Sequence, residues 1–229
     1  MSAIIRGKNR EKGRDMSKYA IIDLEMCNVP RAVRREEYHC SSEIIQIGAV
    51  LLDENYEICD RFMSFVAPQY GMLDNFIHNL TGISKQDLQG APLLCDSMKA
   101  FLRWLPDDAV LVSWSENDEI QMRKELEAKS LEIEGLDKYL DNWIDCQQTF
   151  AHKMDTDRCY NLTEALGVAG IEYSDGAHDA LVDAENTALL FAKMTLEPDF
   201  KLIKCIITPE EMKNSSYKPF ADLLKGLKI

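Results

Sequence analysis

Apolar residues first gather at Tyr19-Ala20-Ile21-Ile22-Asp23-Leu24, after a polar stretch over residues 1–17. The run is short and rich in β-branched residues, which predicts a strand. A polar excursion from Asn28 to Ser42 comes next and carries Pro30, Arg31, Arg34 and Arg35. Two further runs, Glu43–Leu52 and Ile58–Val66, flank the turn-forming Asp53-Glu54-Asn55 and predict a hairpin. The pattern then becomes helical. Leu73–Leu80 and Leu94–Leu105 predict helices, punctuated by Gly82, Gly90 and Pro92. Ala109–Trp114 predicts a short strand, Glu116–Lys129 a helix and Asn142–Asp145 another strand. Helices are expected over 145–153, 161–167 and 179–195, and Pro198, Pro209 and Pro219 interrupt the C-terminal stretch. An antiparallel set succeeded by β–α alternation predicts an α/β fold, a mixed sheet with helices on both faces. The expected division is a flexible basic arm over 1–17, one domain over 18–195 and a tail over 196–229 packed on it.

Composition changes this picture little. Hydrophobic residues at 46% and charged residues at 28% are ordinary for a globular chain. No apolar run reaches the ~18 residues that span a bilayer, and the N-terminal stretch has no apolar h-region. The seven cysteines are dispersed without a C-x-x-C pair, which predicts reduced thiols and a cytoplasmic protein. The net charge of −13 argues against a tight, non-specific nucleic-acid binder. Basic residues nevertheless cluster at Arg6, Lys8, Arg10, Lys12, Arg14 and Lys18, and again at Arg31, Arg34 and Arg35. A few phosphate contacts suffice for a short single-stranded end.

Chemistry enters where acids interrupt apolar runs. Asp23 and Glu25 stand at i and i+2 of the first strand, so their side chains project from one face. Two carboxylates so placed repel each other, and a hard divalent cation between them removes the conflict. Taken alone, D-x-E fits two readings, a ligand pair or a solvent-facing strand end. Asp118 comes after the strand 109–114 at the start of a helix, where it fits either a ligand or the acid of an S-x-x-D capping box begun by Ser115. His178 and Asp183 would point about 140° apart on one helix. They serve one site only if His178 lies in the loop opened by Gly176-Ala177, Asp179 caps the helix and Asp183 falls in its first turns.

In this order the segments resemble the DEDDh-type 3′→5′ exonuclease family, the DnaQ-like group. Ile22-Asp23-Leu24-Glu25 is similar to its first motif, Asp118 to its second, and His178 with Asp183 to its third. Glu43-Ile44-Ile45-Gln46-Ile47-Gly48-Ala49-Val50 resembles its second strand, and His78-Asn79-Leu80-Thr81-Gly82-Ile83 its substrate-side turn. The style of Asp23–Cys27 and of the segment through Ile83 is closest to the Eri/KapD-like branch. The resemblance implies an RNase H-like fold with a mixed five-stranded sheet flanked by helices. It implies that Asp23, Glu25, Asp118 and Asp183 hold two divalent ions, Mg²⁺ or Mn²⁺, about 3.5–4 Å apart. One ion would activate water and the other stabilise the leaving 3′ oxygen, with His178 as general base. Leu24, Met26, Leu80 and His178 would line the terminal nucleotide. Relatives often carry an aromatic before the second-motif acid; here Asn117 offers no ring to stack on.

The implied substrate is the 3′ end of single-stranded RNA or DNA, RNA ahead of DNA, with nucleoside 5′-monophosphates released. Two alternatives share parts of this pattern. A metal-dependent phosphatase or nucleotide hydrolase would also use clustered carboxylates, but the haloacid type opens D-x-D-x-[TV], where this chain has Glu25 and Cys27. A non-catalytic binding module on the same fold would be expected to have lost a ligand, and all five residues are present.

Overall fold

A computed structural model describes residues 19–36, 38–173 and 178–197 of the 229. The expected arm over 1–17, all but the first two residues of the expected tail, and Gly176-Ala177 lie outside the described residues. Five strands form one sheet in the order β3-β2-β1-β4-β5. They are β1 (Tyr19–Asn28), β2 (Ser42–Leu52), β3 (Ile58–Phe65), β4 (Val110–Ser113) and β5 (Trp143–Asp145). β1, β2 and β3 pair antiparallel, whereas β4 runs parallel to β1 and β5 parallel to β4. The mixed sheet is the expected one.

Helices cover both faces. After the short α1 (Arg31–Glu36) come α2 (Asn75–Thr81), α3 (Lys85–Leu88), α4 (Leu94–Trp104), α5 (Asn117–Ala128) and α6 (Asp137–Leu140). The chain then adds α7 (Cys146–Lys153), α8 (Leu162–Ala169) and α9 (Ala180–Leu196). Strand alternation divides the core between the two layers. Ala20, Ile22 and Leu24 of β1 pack with Met98, Phe101, Met122 and Leu126 under α4 and α5. Ile21 faces the opposite way, against Phe150, Leu166, Ala188 and Phe191 of α7, α8 and α9. Asp23 and Glu25 continue the parity of Ile21, so they point toward the α9 layer. With both faces covered, β2 is buried along nearly its whole length, which explains its almost continuous apolar run.

Three short helices, α1, α3 and α6, are absent from the sequence pattern. Arg31–Glu36 reads as a polar excursion, yet Arg, Ala and Glu are good helix formers. Pro30 opens its first turn, with the Arg34 N–H donating to the Pro30 carbonyl at 3.1 Å. β1 also runs on to Asn28, past the expected apolar stretch, because β2 supplies partners as far as Ser42.

One buried ionic group ties these layers together. Lys129 lies 2.5 Å from Glu43 and 2.9 Å from Glu125, all three out of water. Glu43 also accepts the backbone N–H groups of Gln69, Tyr70 and Gly71 at 2.7, 2.8 and 2.6 Å, and Glu125 that of Ile44 at 2.8 Å. Such a group is tolerated because its charges are paired and hydrogen-bonded. It fixes the end of α5 to β2 and to the loop that leads into α2. Among the described residues, no helix is long and apolar enough to cross a membrane.

Candidate active site

β1 outruns β4: their pairing ends at Ile21 and Val112. Beyond that point the β4-facing edge of β1 is open, at the carboxyl ends of the parallel strands where α/β sheets place their sites. Asp118 fills this opening. It is buried in the first turn of α5, and its Oδ1 accepts the Leu24 N–H at 3.2 Å. Its carboxylate therefore bonds to β1, while Ser115 Oγ accepts the Asn117 N–H at 3.4 Å. The capping-box alternative does not describe this residue.

α9 brings the third motif to the same place. In β2, Gly48 lies opposite Asp23, and a Cβ on it would come within 2.2 Å of the Ala180 carbonyl carbon and the Leu181 nitrogen. The helix start thus rests on β2 where only glycine leaves room. Gln46, opposite Glu25, fastens it: Gln46 Oε1 accepts the Ala180 N–H at 3.1 Å, and its amide donates to Asp179 at 3.3 Å. Asp179 caps α9, accepting from Leu181 and Val182. A register shift lies at Glu25/Met26, a bulge of the kind often found beside active sites.

His178 lies outside the helix, in the left-handed region at φ 67°, and Asp183 falls in the first turn of α9. This resolves the angular conflict that one continuous helix would impose. The His178 N–H donates to Asp183 Oδ2 at 3.1 Å. Ligand atoms of Glu25, His178 and Asp183 all lie within 4.8 Å of one another.

The electrostatics draw in the remaining acids. Burial, then Asp118, Asp183 and Glu25, push the Asp23 carboxyl well above the usual range. Burial, then Asp183 and Asp118, lift Glu25 to about 8. Burial is the main cause lifting Asp118 to about 7, with Asp145 and Asp183 adding to it. Asp23, Glu25 and Asp118, three acids held against ionisation beside Asp183, are costly for a fold unless a cation offsets the local charge. The donor set, carboxylate oxygens with one imidazole, suits Mg²⁺ or Mn²⁺. The residues present fit such ions.

The substrate-side residues divide between core and surface. Leu24 is 4% exposed and packs in the core on the opposite face of β1. Met26 is half-buried against that cluster. Leu80 is 37% exposed on α2. Two further residues have no place in the sequence reading. Phe76, 68% exposed, stands one turn before Leu80, and the i, i+4 spacing alone could have marked it. Tyr173 donates its hydroxyl to Asp183 Oδ1; burial, then this bond and the charge of Asp183, push its phenol well above the ordinary value. No local pattern signals it.

Known proteins resemble this chain in sequence and in fold. The profile of the family described as Exonuclease (RNase_T) matches residues 20–191. ERI1 exoribonuclease 2 of Danio rerio is 32% identical over 185 residues, 70% of this chain and 32% of the relative. The chain thus spans about a third of that relative's length. DNA polymerase III subunit epsilon of Aquifex aeolicus is 30% identical over 161 residues, 70% of this chain and 75% of the relative. The solved nuclease domain of 3′hExo, a DEDDh family member bound to rAMP, superposes with a TM-score of 0.67 at 21% identity, covering 82% of this chain and 97% of that one. The fold is RNase H-like. The chain belongs to the RNase_T exonuclease family, and it is similar to an Eri-type exoribonuclease and to a DEDDh nuclease domain.

Proposed function

We propose that the protein hydrolyses single-stranded nucleic acid from the 3′ end, RNA ahead of DNA, releasing nucleoside 5′-monophosphates. The observation that carries this reading is the convergence of Glu25, Asp118 and Asp183 on Asp23 at the open edge of β1, with Glu25, His178 and Asp183 close enough to share one ion. These four would hold two divalent ions, Mg²⁺ or Mn²⁺. Bound there, the ions supply an activated water and neutralise charge at the leaving 3′ oxygen.

His178 would take the water's proton. It is exposed and on the loop side of Asp183, within reach of Glu25 and Asp183, where an incoming strand end would meet it. Positioned bases of this kind contribute about 10²–10⁴-fold. Phe76 and Leu80 on α2, with Met26, would pack on the terminal bases; Leu24 contributes through the N–H that orients Asp118. The RNA preference is supported by the exoribonuclease relative and by the rAMP held in the similar nuclease domain. The acidic chain suits a short end rather than a long duplex.

The test uses 5′-labelled single-stranded RNA and DNA with Mn²⁺, Mg²⁺ or EDTA, beside a circular strand of the same sequence. A ladder shortening from the 3′ end, absent in EDTA, with the circle intact, is the expected result. Cleavage of the circle would overturn the assignment. Phosphate release from mononucleotides without strand shortening would favour a phosphatase.

A further inference from the structure

Tyr173 leaves α8 toward the site, and its ring belongs to the apolar cluster between the sheet and α7–α9. A phenylalanine could fill that space equally well. The hydroxyl is what differs: it donates to Asp183 Oδ1, and the side chain of Asn186 hydrogen-bonds the same phenol oxygen. Asp183 and Asn186 are three residues apart on α9, so they share one helical face a turn apart. The phenol bridges them. Asn186 is itself buried and donates to the Val182 carbonyl at 3.0 Å, so the support behind the phenol is rigid.

The second oxygen of Asp183 accepts the His178 N–H. Both carboxylate oxygens are therefore held by groups of this chain. Asp183 faces Glu25 and acts on Asp23, acids that repel it. Unheld, its side chain would relax by turning toward water. The bonds from Tyr173 and His178 oppose that rotation.

We propose that Tyr173, backed by Asn186, is a positioning residue that keeps Asp183 facing Glu25 and Asp23, so that a divalent ion meets a preformed site. This rests on the reading of Asp183 as a metal ligand. Hydrogen-bond partners of metal ligands typically change affinity by about 10–100-fold.

The measurement is direct Mn²⁺ binding, read from the electron paramagnetic resonance signal of the free ion. Tyr173→Phe keeps the ring and is expected to weaken binding about 10–100-fold, with the urea midpoint of the metal-free protein little changed. Saturating Mn²⁺ should restore most of kcat, since the hydroxyl orients a ligand and does not touch the substrate. In an Asp183→Asn background the same change should have no further effect. Asn186→Leu should weaken binding in the same direction and serves if Tyr173→Phe folds poorly. Unchanged Mn²⁺ affinity in both Tyr173→Phe and Asn186→Leu would overturn the role, as would equal losses with and without Asp183. A wild-type protein that binds no Mn²⁺ would instead overturn the metal-site reading on which the role depends.

Discussion

Oδ1 of Asp118 accepts the backbone N–H of Leu24 at 3.2 Å, joining α5 to the open edge of β1 across 94 positions of sequence. One carboxylate therefore has two tasks, closing an orphaned backbone donor and lending charge to the site. Two variants separate them. Asp118→Asn keeps an acceptor and should fold at least as stably as wild type at pH 8 without metal, while losing activity. Asp118→Ala leaves the Leu24 N–H buried and unpaired, and should be about 1–3 kcal/mol less stable than the asparagine variant. Urea unfolding of both in EDTA checks this. Equal stabilities would mean that the bond contributes nothing.

Gly48 tests how α9 is seated. With a methyl group aimed at backbone atoms 2.2 Å away, Gly48→Ala must push the helix start off β2, and Asp183 moves with it. Overpacking of this kind costs about 1–3 kcal/mol. The expected result is a lower urea midpoint together with weakened Mn²⁺ binding. A variant as stable and as tight as wild type would show that the contact yields without moving the site.

The raised carboxyls make a statement about pH. Across the window from the ordinary 4.5 to about 8 for Glu25, and from 3.8 to about 7 for Asp118, the native metal-free protein holds protons that the unfolded chain releases. The native state thus binds more protons, so this part of the stability is present at low pH and lost as pH rises through the folded values. In EDTA, melting temperature should fall between pH 5.5 and 8.5, and Mn²⁺ should restore it most at the alkaline end. A melting temperature flat over that range in EDTA would contradict the coupling. Glu43, Asp74 and Asp87, whose carboxyls are lowered, act in the opposite sense, but below this window.

How much of the site is legible in the sequence depends on how local each signal is. Asp23 and Glu25 stand out because acids interrupt an apolar strand, and His178 with Asp183 because their spacing demands a loop before a helix; the structure supplies that loop geometry at φ 67°. Gly48 and Gln46 lie in a run that the family resemblance marks, yet their task depends on what α9 rests against, which no spacing encodes. Tyr173 is invisible because its partner lies ten positions on, in a different element. α3 and α6 are single turns, too short for periodicity to carry information.

His178 is placed where the backbone is strained for most residues, so the choice of variant matters. Asparagine tolerates the left-handed region and cannot take a proton. His178→Asn should bind Mn²⁺ within a few-fold of wild type but turn over at least about 100-fold more slowly. Wild-type turnover would remove His178 from the reaction, and abolished Mn²⁺ binding would recast it as a ligand.

Phe76 and Leu80 make a surface claim. Both are exposed, so Phe76→Ala and Leu80→Ala should leave the melting temperature unchanged. Stacking on a base is worth about 1–3 kcal/mol, so KM for a short RNA should rise about tenfold or more with kcat less affected. An unchanged KM in the double variant would place the strand elsewhere.

The most direct test of the central claim is the shortening of a 5′-labelled single-stranded RNA by wild type and by Asp23→Ala, side by side in Mn²⁺. Wild type should give a ladder descending from the 3′ end, and Asp23→Ala none on the same time scale. Internal cuts by wild type, or a ladder from Asp23→Ala at the wild-type rate, would contradict it.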